Sequence, residues 1–271
     1  MNLTHGYRLV VAPFFHQSID WSRRLLVGGG VEEEQGRFVA RPPWSAPTTA
    51  ELAALGIDCA PVQREDLDGC LCLFALPQHL QTTWWELLDR ARLAGTTHLE
   101  GFDAFVHEVA SLLAFKDLSV PGGATFELMA SQPGQRSIGY SAGGARPEGL
   151  AFDRSPRMAW PLSPERRPAR LWGAINLGNE AISAVLVNLA AQQMHDLLAL
   201  RFPGLPAAAT HGELAARFLT HFPDYPPIRL RIEPGEGYRL PAGGVLVDAC
   251  TLDMEEPAVL LVIGNRGEQA S

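Results

Sequence analysis

The sharpest chemical signature in the chain is Gly139-Tyr140-Ser141-Ala142-Gly143, which fits the pattern G-x-S-x-G. In a serine hydrolase that pattern is a strained turn between a strand and a helix, which lifts the serine hydroxyl toward a histidine base. The surroundings here suit it poorly. Residues 131–137 are polar and interrupted by Pro133, and a following helix would have to run through Gly143, Gly144, Pro147 and Gly149. Proline and glycine both oppose such a helix. Asp153 or Asp196 with His195, His211 or His221 completes a triad on paper. A hydrolase built on Ser141 is therefore a distant alternative.

Metal chemistry needs several ligands converging from one side. His107-Glu108 is followed by Ala110 and Ser111 where a zinc helix requires its second histidine. His211-Gly212-Glu213 opens an amphipathic stretch, and Glu213 is read as the capping partner of Thr210. His195, beside Met194 and Leu197, reads as a packed or solvated helical histidine. Cys59, Cys70, Cys72 and Cys250 show no framework spacing. Cys70-Leu71-Cys72 falls on a strand, and its two thiols are read as pointing to opposite faces, which leaves no zinc knuckle. Buried, reduced cysteines of a cytoplasmic protein are the expectation. Gly235-Glu236-Gly237 stops after two glycines and leads into a strand, so no phosphate loop is formed. Lys116 is the single lysine against 21 arginines, a bias attributed to a GC-rich bacterial genome. It leaves almost no lysine for Schiff-base chemistry.

The elements that must position any site follow from composition and periodicity. At 271 residues, 46% hydrophobic and 19% charged, the chain has the makeup of a compact soluble protein. Its net charge of −8 opposes non-specific nucleic-acid binding. No apolar run approaches the roughly 18 residues of a membrane span, and Met1–His5 lack the basic and apolar stretches of a leader. Capping boxes at Thr48/Glu51 and Thr83/Glu86 predict helices over 48–55 and 83–93, ended by Gly56 and Gly95. Phe102, Phe105, Val106, Val109, Leu112 and Leu113 line one face of a helix over 102–115. The apolar run at 68–76 predicts a buried strand. Strands are also predicted over 125–131 and 135–140. Residues 171–177 and 181–189 read as a hairpin around Gly178-Asn179-Glu180. Helices over 188–201 and 211–222 precede short strands at 228–232, 238–240, 245–248 and 258–263. Short strands between Pro-Gly and Gly-Gly turns suggest an antiparallel jelly roll.

A family resemblance rests on Arg170-Leu171-Trp172-Gly173-Ala174-Ile175-Asn176-Leu177-Gly178 followed by Val185-Leu186-Val187-Asn188-Leu189. It rests equally on Phe222-Pro223-Asp224-Tyr225-Pro226 continuing into Arg229-Leu230-Arg231-Ile232-Glu233-Pro234-Gly235-Glu236-Gly237-Tyr238. Over about residues 120–265 the chain resembles Fe(II)/2-oxoglutarate-dependent oxygenases of bacterial secondary metabolism. The resemblance implies an α+β protein built on a double-stranded β-helix. Residues 1–271 then form one domain: a mixed α/β cover over 1–120, and a jelly-roll core over 121–271 with a helical insertion at about 188–222.

That family holds iron with an H-x-D pair and a later histidine, leaving positions for 2-oxoglutarate and oxygen. The corresponding segment here is Gly149-Leu150-Ala151-Phe152-Asp153, which keeps the carboxylate of Asp153 and has Ala151 in place of the histidine. Val247 stands where the later histidine belongs, and no Arg or Lys occurs between Arg239 and Arg266 to anchor 2-oxoglutarate. No H-x-D occurs anywhere in the chain. The resemblance thus implies an oxygenase-like protein with a degenerate metal site and no expected cofactor. Its pocket candidates are Tyr140, Asp153, Asn176, Tyr238, Arg239 and Asp248. Each has a plainer role available: Asn176 as a turn cap, Tyr238 as core, Arg239 as a strand residue facing water. The expected ligand is a small, amino-acid-like or carrier-bound intermediate, with a homodimer or a pathway enzyme as partner. Asp153 or Asp248 could transfer protons without a metal in an apolar pocket. The alternative is a working oxygenase that binds Fe(II) and 2-oxoglutarate through Asp153 with His98, His107 or His195.

Overall fold

A computed structural model describes residues 2–12, 19–34, 37–57, 69–95, 99–116, 118, 124–136, 170–206, 208, 211–241 and 245–265. Among these the chain is mixed α/β, mostly sheet with several helices, and no sheet closes into a barrel.

The larger sheet has six strands. They are β1 (Arg8–Val11), β6 (Cys70–Ala75), β11 (Glu236–Arg239), β8 (Arg170–Asn176), β13 (Ala258–Asn265) and β7 (Ala124–Ser131), in that spatial order. Only β1 and β6 run parallel; the other neighbours are antiparallel. The second sheet has five antiparallel strands, β12 (Leu246–Cys250), β9 (Ile182–Val187), β10 (Ile228–Ile232), β2 (Leu25–Gly28) and β5 (Trp44–Ser45). A separate hairpin joins β3 (Val31–Glu34) to β4 (Arg37–Ala40). Strands from the first 120 residues thus lie in both sheets.

Strand periodicity gives each sheet two distinct faces. One face of the six-stranded sheet carries Leu9, Leu71, Leu73, Ala174, Tyr238 and Leu260. They share a buried cluster with Ile182, Ala184, Leu186, Ile228, Leu230 and Ile232 from the five-stranded sheet. The other face of the six-stranded sheet carries Cys70, Cys72, Phe74, Ile175, Leu261 and Ile263. It is covered by α3 (Gln78–Ala94) and α4 (Phe102–Phe115) through Leu80, Trp84, Leu87, Phe105, Val109 and Leu113. Trp84 Nε1 donates to the Leu177 carbonyl at 2.8 Å, fixing α3 against the end of β8. Helices α5 (Ala191–Arg201) and α6 (His211–His221) pack Met194, Leu198, Leu214 and Phe218 into the first cluster. Short helices α1 (Trp21–Arg24) and α2 (Thr49–Ala54) complete the set.

Several expectations need correction. The segments around Gly178-Asn179-Glu180 are not a hairpin: β8 pairs with β11 and β13, while β9 pairs with β10 and β12 in the other sheet. The turn is a corner at which the chain changes sheets. Thr83 does not cap a helix, because α3 starts five residues earlier, after Pro77. The Thr83 hydroxyl instead donates to the His79 carbonyl at 3.0 Å, one turn back within the helix. Cys70 and Cys72 do not point apart; positions two apart on a strand share a face, and both lie in the helix-covered cluster. Helix α5 begins at Ala191 rather than 188, where Gln193 Oε1 accepts from the Ala190 N–H at 2.9 Å. Gln135 and Arg136 are not in a strand; Gln135 N–H donates to Thr251 Oγ1, and residues 137–140 lie outside the described residues. The capping box at Thr48 and Glu51, the left-handed Gly95 and the helix over 102–115 are all present as expected.

Candidate functional site

Tyr140, Ser141, Ala151, Asp153 and His98 lie outside the described residues. The remaining candidates are not brought together. Asn176 is buried at the sheet-changing corner, where Nδ2 donates to the carbonyls of Glu180 (2.8 Å) and Ile232 (3.0 Å). Its Oδ1 accepts from the Gly178 N–H at 3.0 Å, so the whole amide is spent on architecture. Tyr238 is buried in the cluster between the sheets. Arg239, next along the strand, points to the helix-covered face beside Cys72 and is only 3% exposed, so it does not face water. Gly173 is what permits this crowding, since a Cβ there would come within 2.1 Å of the Tyr238 carbonyl oxygen. Asp248 is buried on the five-stranded sheet, on the same face as Val185 and opposite to that of Val247.

Val247 lies on the apolar face of β12, opposite Leu186 in the ladder and 1% exposed. An isopropyl group cannot coordinate a metal, and β13 offers no basic side chain along Ala258–Asn265. Neither position supplies the group that the resemblance assigns to it, while Ala151 and Asp153 lie outside the described residues. Among the described residues no group of three or more His, Cys, Asp or Glu is placed to hold a metal ion. His107 is exposed on α4, whereas His195 lies on α5, a helix packed into the other cluster.

Charged side chains do converge elsewhere, at a site the sequence reading missed. Strand alternation puts Ser183, Arg229, Arg231 and Cys250 on one face of the five-stranded sheet. There they line a cavity of about 350 Å³, closed at one side by the turn carrying Asp253. Arg229 is 8% exposed. Its Nε donates to Ser183 Oγ at 2.9 Å, its Nη2 donates to Asp253, and its guanidinium lies 5.8 Å from the centre of the Trp44 ring. A cation so far from water needs acceptors, and stacking on an indole favours it further. Arg231 Nε donates to Glu233 Oε1 at 2.8 Å, and Glu180 Oε2 accepts the N–H groups of Glu255 and Glu256, both at 2.8 Å. Burial pushes the Cys250 thiol above its ordinary pKa, so it serves this cavity as a neutral wall. The signal was present as the alternation Arg229-Leu230-Arg231, two cations on one strand face, but their partners come from distant turns.

A second cavity of about 220 Å³ lies beside the contact of α5 with α6 and is mainly apolar, lined by Leu198, Phe202, Leu205, Leu214, His195 and Arg217. Compared with protein-family models, with curated proteins and with solved structures, the chain finds no match.

Proposed function

We propose that this chain is an oxygenase-like protein of a bacterial biosynthetic pathway, built on a double-stranded β-helix. It binds a small or carrier-bound substrate and lacks the usual Fe(II)/2-oxoglutarate site. A jelly roll is a long antiparallel hairpin rolled up so that its strands divide between two sheets. The pairing supports this reading: β9–β10 nests within β8–β11, which in turn nests within β7–β13. The cross-roll contacts β8–β13 and β9–β12 then join neighbouring strands within each open sheet. Strand β12 forms an edge of its sheet among the described residues, where the remaining rung of such a roll belongs. Residues 137–169, between β7 and β8, lie outside the described residues.

The observation that carries the reading is Val247, an aliphatic side chain on the strand where the resemblance implies the later histidine. Among the described residues no helix is long and apolar enough to cross a membrane; the cytoplasmic placement is part of the proposal. The test is turnover: the protein is incubated with Fe(II), ascorbate, oxygen and 2-oxoglutarate, and succinate is measured. No iron-dependent succinate is expected. Its formation would overturn the degenerate-site reading, and fluorophosphonate labelling of Ser141 would replace it with a hydrolase.

A further inference from the structure

The Arg229 cavity lies on the face of the five-stranded sheet opposite Val247, so it is independent of any metal position. We propose that it is a binding site for a small zwitterionic carboxylate, the chemical class of a free amino acid, whose carboxylate takes the place of Asp253 on Arg229.

Three observations lead there. First, Arg229 is held in position on two sides by Ser183 and Trp44, while its carboxylate partner Asp253 has a side chain 73% exposed. An exposed acid loses little by turning into water, whereas the buried guanidinium must keep an acceptor. A ligand carboxylate supplies one. Nη1 makes no hydrogen bond among the described residues, so the guanidinium can receive the ligand in its two-pronged fashion. Second, the charge balance selects the ligand. With Asp253 displaced, Arg229 and Arg231 are matched by Glu180 and Glu233. Arg24 beside Glu233 is paired with Glu236, and Asp248 is buried on the same sheet face, so no excess positive charge favours a dianion such as phosphate. Glu180 Oε1 and Glu233 Oε2 accept no hydrogen bond among the described residues, and either can take an ammonium. Third, about 350 Å³ is at the small end of ligand pockets, the scale of a single amino acid. The Cys250 thiol and Met254 give its side chain an apolar surface to rest on.

The experiment is calorimetric titration of the full chain with L-alanine, L-leucine, acetate and inorganic phosphate at millimolar concentrations. Saturable binding is expected for at least one of the two amino acids, weaker binding for acetate, and none for phosphate. Asp253→Ala removes the competing acid and should tighten amino-acid binding about fivefold to tenfold. Arg229→Gln should weaken it by at least about tenfold. Arg231→Ala, at a half-exposed position, should weaken it too and decides the matter if Arg229→Gln fails to fold. The proposal is overturned if neither amino acid binds, if phosphate binds as tightly, or if Asp253→Ala leaves the affinity unchanged. Iron content has no bearing on any of these outcomes.

Discussion

Buried titratable groups set how the molecule responds to pH. Cys72 is enclosed between its strand and α3, and burial pushes its thiol from 9.0 up to about 12, against the opposing pull of Arg239. Cys250 and Tyr225 are displaced upward as well, in both cases chiefly by burial. All three groups hold their protons more tightly in the folded chain than in the unfolded one. Their contribution is therefore complete below pH 9 and is lost as pH rises toward about 12. Urea unfolding at a series of alkaline pH values should show the midpoint falling steadily above pH 9; a flat profile would contradict this burial. The same enclosure predicts that Cys70 and Cys72, both in the helix-covered cluster, resist iodoacetamide in the native protein and react fully in urea, as read by mass spectrometry.

At the scale of elements, Asn176 organises the corner between the sheets, and its buried amide makes three hydrogen bonds. Asn176→Ala should destabilise the protein by about 3 kcal/mol, because two buried carbonyls and an N–H lose their partner. Denaturant titration measures it. Two threonines separate a true cap from an apparent one. Thr48 exchanges both capping bonds with Glu51, so Thr48→Ala should cost about 1 kcal/mol. Thr83 lies inside α3, and Thr83→Ala should be neutral or slightly stabilising. Both residues carry the same T-x-x-E pattern, which is why the pattern alone could not tell them apart. What decides is where the helix has already begun: Pro77 supplies the start of α3 six residues before Thr83, and the Gln81 side chain closes on the Leu76 carbonyl at 2.7 Å. The supposed hairpin at 178–180 fails for a related reason. A tight turn between two apolar strands says that the chain reverses, not that the two strands pair with each other.

For the whole molecule, the strands with continuous apolar runs were legible in the sequence, from Cys70–Ala75 to Ala258–Asn265. The short strands β1 to β5 were not, because each spans two to four residues, and β1, β2 and β5 owe their places to sheet partners far along the chain. Of the candidate site at Arg229, only the alternation Arg229-Leu230-Arg231 was legible in the sequence. Asn176, Tyr238 and Arg239 are neighbours in sequence motifs yet serve a corner, a core and a helix-covered face. The cavity at Arg229 depends on turns that no local pattern announces. The central claim is that an oxygenase-like roll here holds no iron ligand at the position of Val247. Anaerobic titration of the purified protein with Fe(II) and 2-oxoglutarate, followed by metal analysis and visible absorption, tests it most directly. The account predicts no stoichiometric iron and no charge-transfer band from bound 2-oxoglutarate. One iron per chain with that band would contradict it.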